Sequence, residues 1–305
     1  MTGGGFDEVA VLGHNLSVPS PLTVFFSPAY VVKGKSETVT KSRLVAELIE
    51  AGRAGDVRLL APKAATRREL ETIHAPEYVR STFDDKQSFL EVGPWSQPLL
   101  DSILASTGGM RDAVNEALLS GRSGSLSSGL HHARRAAGNG FCQFNGLALA
   151  ALEALKEVRR VGILDLDAHA GGGTFDILGD DKRVYLADVT VNGFDSWEPS
   201  APDRHFYVDI SDPRTYLDQV ERTLRHLEPV EFLIYNAGMD TYEKAGGLKG
   251  ITKEIIRKRE RRVVEWARQR KVPAIFALAG GYKSGGLTLE QVAELHLETV
   301  KAFAD

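Results

Sequence analysis

Short apolar runs alternate with stretches of helical spacing along this chain, and that alternation leaves few ways to fold it. The runs fall at residues 22–26, 57–60, 161–166, 184–189, 206–210, 232–235 and 275–278. Helical periodicity occupies 42–52, 97–120, 146–158, 213–227, 252–270 and 288–303. A strand that is apolar along its whole length needs cover on both faces, and crossover helices provide that cover for a parallel sheet. The chain therefore reads as an α/β protein, a three-layer α/β/α sandwich with a mostly parallel central sheet. Its 305 residues exceed a typical domain, but no linker composition interrupts them, and a single large sheet can run to this length. One domain over 1–305 is expected, with residues 1–18 a loose or peripheral start.

Composition narrows the function classes. Lysine and arginine number 37 against 41 acidic residues, a net charge of −4, which gives no general attraction to nucleic acid or to an anionic membrane. The basic run at 257–262 is a local exception. It is interleaved with Ile255, Ile256, Val263, Val264 and Trp266 and reads as a solvated helix face. The lone cysteine, Cys142, excludes an internal disulfide and a cysteine-rich zinc site, and the N-terminus has no signal-peptide pattern. A reducing, cytoplasmic setting is expected. No apolar run reaches the roughly 20 residues a spanning helix needs.

The polar residues that stand out fall where runs end. Asp165, Asp167 and His169 leave one apolar run at alternate positions, so an extended backbone would point them to one side. Gly238-Met-Asp240 follows another run, and Gly280-Gly281-Tyr282 a third. In open parallel sheets the loops beyond the carboxyl ends of the strands converge. Asp167, His169 and Asp240 together would make a hard oxygen and nitrogen donor set with a position open for water, the pattern of catalytic zinc. Any one of these residues is more simply a cap or a loop hydrogen-bonder; the set is not. The pair His131–His132 gains meaning only beside such a site, where an imidazole that titrates near neutrality can move a proton.

Four segments carry a family resemblance: SGLHHARRAAGNGFCQFN (128–145), ILDLDAHAGGGT (163–174), YNAGMDT (235–241) and LAGGY (278–282). In this order and spacing they resemble the histone deacetylases and their bacterial relatives that act on acetylpolyamines and other small amides. ELETIHAPEYV (69–79) resembles the family's N-terminal helix, so the similarity runs over roughly residues 20 to 300. It implies an arginase/deacetylase fold and hydrolysis of an acyl amide, with acetyl-lysine or an acetylpolyamine as substrate. Asp167, His169 and Asp240 would hold Zn²⁺, or Fe²⁺, and a structural K⁺ would sit among carbonyls near 165–169 and 178–184. His132 would be general base and acid, His131 its electrostatic helper oriented by Asp165, and Tyr282 the donor to the oxyanion. Phe141 and an aromatic of the 194–197 loop, Trp197 by counting, would flank a narrow tunnel with Gly140 beside it. Cys142 would be a packing residue, and the protein a monomer or homodimer.

The resemblance has gaps. The family commonly follows the metal-binding histidine with a second one, where this chain has Ala170, and two residues later has Asp or Asn, where this chain has Gly172. That carboxylate or amide normally orients the second histidine of the pair, so the partner of His132 must come from elsewhere, from water or a backbone carbonyl. The usual His-Pro-Glu segment is replaced by residues 36–43, and Gly246-Gly247-Leu248 replaces the usual Pro-Leu-Gly. Glu91 stands near the position of an acidic residue that holds the substrate backbone, with an exposed loop glutamate as the alternative. An arginase-like ureohydrolase would need two Mn²⁺ and more carboxylates than Gly171 and Thr241-Tyr242 offer. A catalytically silent binding module would explain Ala170 and Gly172 but not the retained set.

Overall fold

The computed structural model describes residues 20–32, 40–85, 90–91 and 93–305. The expected peripheral start and the replaced residues 36–39 lie outside these residues. Among the described residues, eight strands form one sheet: β1 (Leu22–Phe25), β2 (Val57–Leu60), β3 (Arg122–Ser125), β4 (Val161–Asp165), β5 (Val184–Thr190), β6 (His205–Asp209), β7 (Phe232–Asn236) and β8 (Ala274–Ala277). Their order is β2-β1-β3-β8-β7-β4-β5-β6, and every pairing is parallel.

Helices cover both faces. One core cluster packs α1 (Lys41–Glu50), α7 (Tyr216–His226), α8 (Lys253–Arg270) and α9 (Leu289–Ala304) on one side of the sheet. The other packs α2 (Arg67–Leu70), α3 (Pro76–Asp84), α4 (Gln97–Ser120), α5 (Gly146–Ala154) and α6 (Gly172–Leu178) on the opposite side. The three-layer α/β/α sandwich is the observed architecture. Strands β4 and β7 are buried at every residue, as their unbroken apolar runs require.

Strand β3 has no apolar signal, because Arg-Ser-Gly-Ser contains none. Position in the sheet makes it a strand. It lies between β1 and β8, its serine hydroxyls are satisfied locally, Ser123 donating to Thr23 O at 2.8 Å, and a Cβ at Gly124 would sit 2.3 Å from the Phe276 ring. The missing side chain is what lets that ring pack against the strand.

Register then positions the site. Ser125, Ala277, Asn236, Asp165 and Asp188 are paired in one row across neighbouring strands at their carboxyl ends. Main-chain bonding continues past the row, from Leu166 N to Asn236 O (3.1 Å), Ala237 N to Ala277 O (2.9 Å) and Leu278 N to Ser127 O (2.9 Å). The segments leaving β3, β4, β7 and β8 are thus tied to one another before they diverge.

Candidate active site

Asp167, His169 and Asp240 come together beyond that row, each offering one ligand atom within 4.8 Å of the others. His169 Nδ1 lies 3.2 Å from both Asp167 Oδ1 and Asp240 Oδ2. Both carboxylates are buried, and Asp240 Oδ2 receives no well-formed hydrogen bond, the 3.2 Å approach of His169 being poorly directed. A Cβ at Gly280 would lie 2.3 Å from Asp240 Oδ1, and Gly280 has φ +53°, so the glycine turn is moulded to this carboxylate. Two buried carboxylates need a compensating cation. Without a metal a proton on His169 supplies it: burial opposes that charge, but the adjacent Asp167 and Asp240 carboxylates pull the imidazole up to about 10. Burial also opposes ionisation of Asp167, which His131 and His169 more than offset, whereas burial and Asp167 together push Asp240 up. A buried oxygen lacking a good partner beside two further hard donors fits a divalent ion such as Zn²⁺.

The histidine pair sits next to this group. Leu130 precedes it with φ +60°, and Asn145 Nδ2 donates to Ala133 O at 3.1 Å while Thr174 N donates to His131 O at 2.9 Å. The two rings lie 3.9 Å apart between centroids. His131 Nδ1 donates to Asp165 Oδ2 at 2.7 Å, and Asn236 Nδ2 fixes the other oxygen at 2.9 Å. Burial disfavours charge on His131, but Asp165 and Asp167 outweigh it and raise its pKa to about 10. Burial and the neighbouring His131 lower that of His132.

The partner of His132 is neither water nor a backbone carbonyl. Its Nδ1 donates to Asp195 Oδ2 at 2.8 Å, from the loop between β5 and β6. The same loop corrects the aromatic wall. Trp197 is 6% exposed, stacks on Phe175 at 4.5 Å and donates its indole N–H to Asp188 Oδ2 at 2.8 Å. It is a core residue. Phe194, 46% exposed, takes the wall position instead, its ring edge-on to His132 at 5.0 Å and to His169 at 5.9 Å.

Phe141, 53% exposed and at φ +65°, forms the facing wall of a cavity of about 440 Å³ that Gly140, His132, His169, Asp240, Tyr282, Gly246 and Ser284 complete. A smaller space of about 50 Å³ shares His132 and Tyr282 with it and is lined by His131, Asp167, Cys142 and Gly280. Burial, with Asp240 and Asp167 nearby, holds the Tyr282 phenol well above its ordinary range. It stays a neutral hydrogen-bond donor. Burial likewise pushes the Cys142 thiol up to about 12, so it is no thiolate nucleophile. Glu91 is not brought to the cavity; it is half-buried, with its N–H donating to Gln143 Oε1 at 3.1 Å.

Two buried cations behind the site escaped the sequence reading. Arg259, expected on a solvated face, is fully buried. It donates to Gly238 O (2.7 Å) and Leu166 O (3.2 Å), the carbonyls just ahead of Asp240 and Asp167, and pairs with Glu260 at 2.5 Å. Positions 259 and 260 share the buried stripe of Ile256, Val263 and Ala267, a signal that helical spacing contained. Lys41 Nζ donates to Gly280 O at 2.5 Å, beneath the glycine turn, and burial lowers its pKa to about 8 despite Asp240 and Asp167 nearby. Nothing in its local sequence marked it.

The model of the histone deacetylase domain matches residues 35–197, just over half of the chain. The chain belongs to the histone deacetylase domain family. Histone deacetylase 2 of Arabidopsis thaliana is 30% identical over 77% of the chain and 66% of its own length, and histone deacetylase clr6 of Schizosaccharomyces pombe 27% over 74% and 62%. The chain therefore spans just under two thirds of these curated relatives. An uncharacterized protein of Picosynechococcus is 29% identical over 85% of the chain and 91% of its length. The crystal structure of the HDA15 HD domain shares the fold, with TM-score 0.75 at 20% identity, covering 93% of this chain and 90% of that one. The arginase/deacetylase fold is thus the family's fold, and no helix among the described residues is long and apolar enough to cross a membrane.

Proposed function

We propose that this protein is a metal-dependent amidohydrolase that removes a short acyl group, acetyl foremost, from an amine carried on an extended aliphatic arm such as that of acetyl-lysine or an acetylpolyamine. The observation that carries the reading is the three-atom cluster of Asp167, His169 and Asp240 at the foot of a cavity walled by Phe141 and Phe194. Family membership supports a deacetylase-type hydrolase. A bound Zn²⁺ or Fe²⁺ supplies a Lewis acid that polarises the scissile carbonyl and lowers the pKa of the attacking water.

The protein groups divide the rest. Because a carboxylate only accepts, the Asp195 contact puts the proton of His132 on Nδ1, and Nε2 of the neutral ring keeps its lone pair. His132 then takes the proton of water and returns it to the leaving amine, so that amide and water become carboxylate and amine. A protonated His131, held by Asp165, lies with its ring tilted against that of His132, 3.9 Å away between centroids, and opposes a lasting positive charge there. Tyr282 donates its phenolic hydrogen to the oxygen that gains charge. The small space beside Cys142 suits a short acyl group, and Gly246 leaves one wall of the larger cavity without a side chain. For the expected potassium ion, the paired positions Asp165 and Asp188 offer a reason. Burial and the Asp165 charge push Asp188 up to about 7, and a nearby cation would offset the repulsion between the two carboxylates.

Hydrolysis of an N-acetyl-lysine reporter and of acetylpolyamines tests the reading. Activity should vanish on chelation and return with Zn²⁺, and Tyr282→Phe should lower kcat by about 10²–10³ with metal content intact. A metal-loaded protein inert towards a broad panel of acyl amides overturns it.

A further inference from the structure

Asp195 has an unusual setting. It holds φ +58°, a left-handed conformation that an aspartate tolerates better than most residues, and its side chain is 1% exposed. Its two oxygens are divided. Oδ2 accepts from His132 Nδ1 at 2.8 Å and from Gly173 N at 3.2 Å, and Oδ1 accepts from the Arg134 guanidinium. The carboxylate enters this space only because position 172 has no side chain: a Cβ at Gly172 would lie 2.3 Å from the Asp195 carbonyl oxygen, 2.6 Å from Oδ1 and 2.7 Å from Cγ. Phe194, the residue before it, edges the His132 ring at 5.0 Å and lines the cavity.

We infer that Asp195 is the positioning residue for His132, supplied from the β5–β6 loop, and that Gly172 is the glycine its carboxylate requires. Arg134 fixes Asp195 from the other side, so the ring of His132 is oriented by a clamp whose outer arm also carries the cavity wall. The two positions are interdependent: the loop carboxylate and a side chain at 172 exclude each other. Restoring a carboxylate at 172 does not substitute for Asp195, because the first clash is with the loop's own main chain. The inference rests on the hydrolase reading for its kinetic consequence and on geometry alone for the tautomer of His132.

The test pairs those two readouts on the zinc-loaded 305-residue chain. Asp195→Ala should lower kcat for an N-acetyl-lysine reporter by about 10- to 100-fold with KM nearly unchanged, and imidazole ¹⁵N spectra should show His132 losing its Nδ1–H bias. Asp195→Asn, whose side-chain oxygen still accepts, should retain the bias and most of the rate, and Gly172→Ala covers the case in which Asp195→Ala fails to fold. Gly172→Ala should reproduce the loss by displacing the loop. If Asp195→Asn and Asp195→Ala both leave the tautomer and kcat unchanged, or if either readout moves without the other in an active enzyme, the inference falls. If the wild type hydrolyses nothing yet the tautomer responds as stated, the positioning role stands and the hydrolase reading alone falls.

Discussion

The loops after β4 and β7 and the loop after β5 both face the cavity, yet they are held in different ways. Asp167, His169 and Asp240 follow strand ends whose main chains bond to one another, and Arg259 grips the carbonyls of Leu166 and Gly238 from behind the sheet. The β5–β6 loop is held by its side chains: Trp197 against Phe175 and Asp188, and Asp195 between His132 and Arg134. The candidate metal ligands thus rest on main-chain bonding within the sheet, whereas the wall and the partner of His132 rest on side-chain contacts.

The largest effect expected from this contrast is at Asp240. Asp240→Ala should abolish zinc retention and reduce amide hydrolysis to background, read by metal analysis and turnover on one preparation; retained zinc with retained activity would remove Asp240 from the site. Next is the grip behind it. Arg259→Met removes the cation beside the buried Glu260 and the guanidinium donor to Leu166 O and Gly238 O, which should destabilise the protein by about 3–5 kcal/mol in denaturant unfolding. Zinc affinity should fall with it. A variant that keeps both stability and affinity would show that the sheet alone holds the two loops.

Smaller effects separate wall from core within the β5–β6 loop. Phe194→Ala should raise KM for an aliphatic acyl-amine with little change in melting temperature. Trp197→Phe should leave KM unchanged and destabilise by about 1–3 kcal/mol, since Asp188 loses a buried donor. The reverse pattern would return Trp197 to the tunnel.

The same contrast explains what the sequence could and could not reveal. Unbroken apolar runs announce β4 and β7, and the residues that leave them at fixed offsets announce the metal set, because strand geometry converts spacing into direction. Strand β3 has no such run and exists through its neighbours. Asp195 reaches His132 across 63 positions of sequence, and counting along a loop cannot tell which of Phe194 and Trp197 turns outward. Gly172 was legible as a gap, but not as the space another carboxylate fills. Arg259 was hidden by its charge: a basic run suggests a solvated face, yet its helical position placed it on the buried stripe.

The claim that Asp167, His169 and Asp240 form one metal site predicts a competition between ion and proton. His169 is raised from 6.5 to about 10 in the metal-free protein. The stability its proton contributes is therefore fully present below pH 6.5 and lost as pH rises through about 10. Between those values a metal must displace that proton, so apparent zinc affinity should rise with pH. Calorimetric titration of Zn²⁺ into chelator-stripped protein at pH 7.5, in buffers of different ionisation enthalpy, measures this directly. One ion should bind per chain, about one proton should be released per ion, and hydrolysis of the acetyl-lysine reporter should return in proportion to the zinc bound. Zinc uptake without proton release, or full hydrolysis by the stripped protein, would contradict it.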